Sequence, residues 1–263
     1  EIVDEYGADA LKFTLAYNCA SGQDILLDKD SFKMGSKFAN KVWNASRYIL
    51  MNLEGRQFLA PEKVSHNDLD KWILHRLDQA ASQVTDALRS WRFNDAAQAV
   101  YSYFWDDFCD WYIEASKLST KFGDEAEKDR ATTVLLQVLE ESLRLLHPFL
   151  PFVTEEIYGM LPNAAGRLIV QRWPESVQSR RSPELAEKFE SLRELVTIGR
   201  SLRSEFQIPQ EAKMPLYVKL DASFAAPDFL KRNAALIGLL VGGPEPLFLD
   251  AASPKPELSI ALA

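Results

Sequence analysis

The sequence predicts a mainly α protein: a helical bundle followed by a small α+β unit. Three observations carry this. Between residues 31 and 160, apolar residues recur at three- and four-residue spacing, the stripe of a packed helix. The helices read from that spacing are long and their connections short, which suits antiparallel neighbours in a bundle. Beyond residue 210 the texture changes to short alternating runs such as "PLYVKLD", the period of a strand.

The elements follow in order. Residues 4–18 read as a short helix bearing Ala8, Leu11, Phe13 and Leu15, broken by "NCASGQD" with Gly22 as the punctuation. Residues 31–53 are the next helix. At about 100° per residue, Phe38, Val42, Ala45, Ile49 and Leu53 share one side, widened by Ala39, Trp43 and Leu50. "EGRQFLAPEKVSHND" is a loop containing Pro61. Residues 68–91 return to helix, with Leu69, Trp72, Ile73, Leu77, Ala80, Val84, Leu88 and Trp91 at helical spacing. Asn94 is the expected N-cap of a helix over about 95–118. A leucine-rich helix spans about 125–146. Pro148 and Pro151 in "HPFLPF" interrupt it, and helix resumes over "TEEIYGML". Residues 183–206 form one more amphipathic helix, ended near Pro209. "PLYVKLD", "PLFLD" and "LSIALA" read as strands, with helix over 227–240 between the first two.

Composition bounds the class. At 263 residues with 47% hydrophobic and 26% charged residues, the chain can bury a real core. The net charge of −8 argues against a chain that binds nucleic acid over its whole surface. The charge is uneven, however. Residues 1–30 carry Lys12 and Lys29 against seven carboxylates, whereas residues 31–60 carry Lys33, Lys37, Lys41, Arg47 and Arg56 against Glu54 alone. A basic island matters because fields are local. Cys19 and Cys109 make neither a disulfide framework nor a zinc spacing, which fits a reducing, cytoplasmic setting. No apolar run approaches the ~20 residues of a membrane span. The chain opens directly on helix without an initiating Met, as expected of a piece of a longer protein.

Two groups of residues are candidates for chemistry. In "YFWDDFCDWYIEASK", Asp107, Asp110 and Glu114 fall at spacings of 3 and 4 on one helix face, beside Asp106. Paired carboxylates can do acid–base work or hold Mg²⁺. The preferred reading is a solvated acidic stripe with Glu114 paired to Lys117, and the neighbouring aromatics, Phe104, Trp105, Phe108, Trp111 and Tyr112, serve as core or helix-contact residues. His66, His75 and His147 are scattered, and His147 before Pro148 suits a structural hydrogen bond. No phosphate-cradling, nucleophile or metal motif occurs, so neither a catalytic residue nor a metal ligand is assigned.

The second group lies opposite the apolar side of the 31–53 helix: Lys33, Lys37, Asn40, Lys41, Asn44, Arg47 and Tyr48. Single-stranded RNA is read by rings that stack on bases, amides that bond base edges and cations that meet phosphate. All three ingredients are present. Exposed aromatics also mark protein interfaces, and these residues alone leave both readings open.

The segments "YGADALKFTLA", "GQDI", "FANKVWNASRYIL", "FWDDFCDWYIEASK", "HPFLPFVTEEIY" and "RSLRSEFQIP" together resemble the C-terminal part of bacterial valyl-tRNA synthetases. The resemblance covers residues 1 to about 210, and more loosely the rest. "HPFLPFVTEEIY" resembles the corresponding stretch of several class I synthetases for apolar amino acids, while "NKVWNASRYIL" and "FCDWYIEASK" are much more specific to the valine enzymes. The resemblance implies that residues 1–30 end a linker after the catalytic core. Residues 31–176 would be a helical-bundle anticodon-binding domain, and residues 177–263 a small α+β unit leading to a coiled-coil arm. It implies tRNA binding through Lys37, Lys41, Asn44, Arg47 and Tyr48, with Tyr48 stacking on an anticodon base. Family members commonly carry Phe at the Tyr48 position, and Arg-Asn where this chain has Ser36-Lys37. The whole enzyme would join valine to its tRNA using ATP, with Mg, through a valyl-adenylate. The HIGH and KMSKS signatures and the editing domain are absent from these residues, so this segment needs no cofactor of its own. A cytoplasmic monomer that binds neither DNA nor membrane is expected. Two rivals remain: the equivalent segment of an isoleucyl-tRNA synthetase, and a non-catalytic helical module that binds protein.

Overall fold

The computed structural model describes residues 1–19, 27–53, 55–56, 58–60, 63–209, 211–221 and 224–249, and it is mainly helical. The chain divides into two compact units, Glu1–Ser182 and Pro183–Ala263. The Gly22 break and the "LSIALA" strand expected from sequence lie outside the described residues.

The first unit is the bundle. Helix α1 (Ile2–Tyr6) and α2 (Ala8–Asn18) replace the single helix expected over 4–18, because Gly7 between them takes φ +91°, a left-handed value that interrupts helical hydrogen bonding. Helix α3 (Lys29–Leu53) turns the predicted apolar side inward: Phe38, Val42, Ile49 and Leu53 are all buried. Helix α4 (Asp68–Arg89) begins with a capping box between Asn67 and Asp70. It stops two residues short of the expected end. Trp91 leaves the apolar stripe, takes φ +59° and stands 77% exposed. Helix α5 (Phe93–Ser102) has Arg92 as its N-cap residue, so Asn94 lies inside the first turn rather than capping it.

The largest departure follows. Instead of one α-helix over 95–118, α5 runs into an eleven-residue π-helix, Tyr103–Ile113, and then α6 (Glu114–Phe122). A π-helix closes i→i+5 hydrogen bonds and has a wider turn, so residues three apart, such as Asp107 and Asp110, no longer share one face. Helix α7 (Glu125–Leu146) is opened by an Asp124–Glu127 capping box and matches its predicted span. Helix α8 (Pro151–Gly159) starts with proline in its first turn, where the missing N–H costs nothing. Residues 68–146 contain no strand.

Helix α3 packs on α2, α7, α8 and the π-helix; α4 packs on α5, α7 and the π-helix. Gly35 lets α2 approach α3 closely, since a Cβ there would sit 2.5 Å from both the Ala10 carbonyl and the Thr14 hydroxyl. Buried carboxylates tie the helices together. Asp9 of α2 accepts hydrogen bonds from the Phe152 and Val153 amides at 3.1 and 2.7 Å, capping α8 from outside. Asp70 accepts from the Tyr112 hydroxyl at 3.0 Å and from Arg130, which also reaches the Ser119 hydroxyl.

The sequence places a boundary at 176/177, while the two units divide at Ser182/Pro183. The segment before Pro183 is bound to α4. Trp173 Nε1 donates to Thr85 at 2.8 Å, Arg181 pairs with buried Asp78 at 2.8 Å, and the Ser182 amide donates to His75 Nδ1 at 3.1 Å. Burial pushes the Asp78 carboxyl up, but the Arg181 guanidinium and the Val177 amide outweigh it and hold the group below the usual range.

The second unit contains α9 (Pro183–Glu205), β1 (Tyr217–Lys219), α10 (Pro227–Arg232), α11 (Ala234–Val241) and β2 (Leu247–Leu249). Asn233 divides the single helix expected over 227–240. The strands pair in parallel, Tyr217 opposite Leu247 and Lys219 opposite Leu249, a pairing that requires the helical crossover between them.

Candidate nucleic-acid interface

Burial of one side of α3 fixes what the other side presents. Lys37, Asn40, Asn44, Arg47 and Met51, spaced 3, 4, 3 and 4, form an exposed ridge along the helix. Among the described residues, no ion pair engages Lys37 or Arg47. Lys33, further toward the helix start, is held by Asp30 at 2.7 Å.

The other two predicted site residues, Lys41 and Tyr48, lie one row over, at the seam with the π-helix and α6. Lys41 Nζ is 2.6 Å from Asp110 Oδ1 and 4.9 Å from the centre of the Trp105 ring. Tyr48 is half-buried. The Lys117 ammonium, bonded to both Glu114 oxygens at 2.6 and 2.7 Å, sits 5.6 Å from the centre of its ring. Burial raises the Tyr48 hydroxyl above its ordinary value, so it stays protonated at neutral pH. The seam is reciprocal: each side lays a lysine on a ring of the other, and a carboxylate holds each lysine.

The acidic residues separate accordingly. Glu114 pairs with Lys117 as the spacing predicted. Asp107 is not on a solvated stripe; it is buried and bonded to Arg76 of α4 at 2.7 Å. Asp110 faces α3. The cause is the wider π turn, which aims Asp107 and Asp110 at different neighbours. Trp111, expected from sequence to be a core or helix-contact residue, is half-buried, whereas Trp72 is fully buried. His147 makes the structural contact expected of it, Nδ1 lying 2.8 Å from the Thr154 hydroxyl. Cys109 is buried, and burial pushes its thiol up to about 12, far from a reactive thiolate.

The ridge is legible in the sequence, but the partners of Lys41 and Tyr48 across the seam are not. Lys117 was visible only as a mate for Glu114. Trp105 and Asp110 carried no sign of facing Lys41.

Residues 70–220 match the family model "Anticodon-binding domain of tRNA ligase". The chain belongs to this family. Its match to an anticodon-binding domain accords with the bundle seen over the first unit. The chain is 48% identical to the valine–tRNA ligase of Treponema pallidum, an alignment covering all of this chain and 30% of that protein. It is 46% identical to that of Treponema denticola, covering 99% of this chain and 30% of the relative. For Thermotoga maritima the figures are 47%, 83% and 25%. The chain thus spans about 25–30% of the length of these relatives. Among solved structures, the Agrobacterium radiobacter K84 LeuRS in its complex with tRNA and LeuAMS shares the fold, with a TM-score of 0.51 and 19% identity. That alignment covers 89% of this chain and 25% of the LeuRS chain. Mycobacterium tuberculosis methionyl-tRNA synthetase in its free state aligns with a TM-score of 0.50 and 21% identity, over 69% of this chain and 40% of its own.

Proposed function

We propose that this chain is the tRNA-binding, anticodon-reading segment of a valine–tRNA ligase, and that α3 carries the RNA-facing surface. The observation that supports it most is the identity to bacterial valine–tRNA ligases across the whole chain, 48% for Treponema pallidum. The exposed ridge of α3 supplies the chemistry. Lys37 and Arg47 meet phosphate, Asn44 bonds a base edge, and the exposed part of Tyr48 stacks on an anticodon base, with Lys41 beside it. The complete ligase activates valine with ATP and Mg and transfers it to tRNA. It works as a cytoplasmic monomer, and this segment supplies recognition rather than chemistry.

The test uses this chain and transcripts that share one tRNA body but carry valine or isoleucine anticodons. Preferential, salt-sensitive binding of the valine transcript is expected, with no valine-dependent ATP–pyrophosphate exchange. Tyr48→Ala should weaken binding by about 1–3 kcal/mol, while Tyr48→Phe keeps the ring and costs little. Asn44→Ala should reduce discrimination between the two anticodons. Equal binding of both transcripts, or unchanged binding by Tyr48→Ala, refutes the assignment of α3.

A further inference from the structure

A lysine destined for phosphate is expected to point into solvent. Lys41 does not: Asp110 of the π-helix holds it at 2.6 Å, and its ammonium lies against Trp105. The pair is partly open to water, with side-chain exposures of 30% and 45%, so the carboxylate is replaceable. Lys41 lies one row from the ridge of Lys37 and Arg47 on α3, and Asp106 and Glu114 extend the acidic character along the segment that carries Asp110. A carboxylate and a phosphate oxygen offer a lysine the same thing, an anionic acceptor.

We propose that Asp110 is a built-in competitor for RNA, occupying Lys41 until a phosphate of the bound tRNA displaces it. This rests on the reading of α3 as the RNA-facing helix. The device favours specificity. A polyanion that touches α3 only through charge must displace Asp110 and then lie beside a free carboxylate. A ligand that also engages Asn44 and Tyr48 offsets that repulsion with contacts of its own. The π-helix is what makes the arrangement possible, because its wider turn presents Asp110 to α3 while Asp107 is directed to Arg76.

The experiment measures binding of the valine-anticodon transcript across a salt series for the 263-residue chain and its variants. Asp110→Asn removes the competing charge without changing shape. Affinity at low salt should rise by up to about fivefold, the upper end for a half-exposed ion pair. The dependence of log K on log salt should steepen by about 0.7 unit, one phosphate in single-stranded RNA. Lys41→Gln alone should weaken binding, and in that background Asp110→Asn should bring neither gain; this non-additivity would not arise from a purely structural role. Melting temperatures confirm folding, and Asp110→Ser repeats the measurement with a different side chain. Unchanged or weaker binding by Asp110→Asn, while Lys37→Ala and Arg47→Ala flatten the salt slope, overturns the proposal and leaves the α3 reading standing. If Lys37→Ala and Arg47→Ala leave the slope unchanged, the α3 reading fails and the competitor falls with it.

Discussion

Replacing Arg130 with methionine removes the cation that neutralises Asp70 while filling a similar volume. The Asp70 side chain is 2% exposed and that of Arg130 13%, so neither is rescued by water. Asp70 would keep the Tyr112 hydroxyl and the Asn67 amide, at 3.0 and 3.1 Å, but would stand as a buried charge without a counter-ion. Breaking such a pair from one side costs about 3–5 kcal/mol, because the stranded carboxylate bears its desolvation alone. Tyr112→Phe should cost less, about 1.5–3 kcal/mol, since it deletes one hydrogen bond to a charged acceptor and leaves the pair intact. The Lys41–Asp110 pair is half-exposed, so Lys41→Met should cost under about 1 kcal/mol. Urea unfolding followed by circular dichroism reads each loss as a lower midpoint at unchanged slope. Raising salt should weaken the Lys41 effect and leave the Arg130 effect nearly constant. A loss below about 1 kcal/mol for Arg130→Met would mean that Asp70 does not bear the desolvation of a stranded buried charge, and the ordering Arg130 > Tyr112 > Lys41 would collapse.

Other outcomes are equally specific. His66, His75 and His147 are each held below the ordinary imidazole value by burial, so the unfolded chain binds their protons more readily. Stability should therefore be full above about pH 6.5 and decline as pH falls below it, read as a falling melting temperature. Trp72→Ala should cost about 3–5 kcal/mol, while half-buried Trp111→Ala should cost clearly less; equal losses in chemical denaturation would contradict the packing. Gly35→Ala should cost about 1–3 kcal/mol, because its Cβ meets the α2 backbone at Ala10; a neutral result in the same assay would show that α2 yields easily.

The sequence made some of this plain and concealed the rest for identifiable reasons. Helix α7 was legible because its leucines keep strict helical spacing and it is bounded by charged and proline-rich stretches. The apolar side of α3 was legible too, with Phe38, Val42 and Ile49 fully buried as the spacing required. Gly7 was hidden because a lone glycine inside a helical pattern usually stays helical, and nothing local forces φ +91°. The π-helix was hidden because "YFWDDFCDWYI" is aromatic on nearly every side, so a wider turn buries about as much as a normal one. In the site, the ridge Lys37–Asn44–Arg47 follows from one helix alone. The restraint on Lys41 comes from Asp110, 69 residues away, a pairing that no local pattern encodes.

The clasp of Asp9 on α8 has a consequence for the order in which the bundle can assemble. The two amides it binds lie 143 and 144 residues further along the chain. During synthesis, α2 emerges first but has no α8 to hold, and its packing partner α5 also arrives later. At ribosomal speeds of about 5–20 residues per second, that gap lasts on the order of ten seconds. Until α5 is made, part-way through that interval, the rings of Phe13 and Tyr17, which end in contact with Tyr101 of α5, lack that cover. The α4–α5 and α6–α7 hairpins, closed by short turns, are free to form before α8 exists, and the clasp of Asp9 on α8 closes late although α2 is made early.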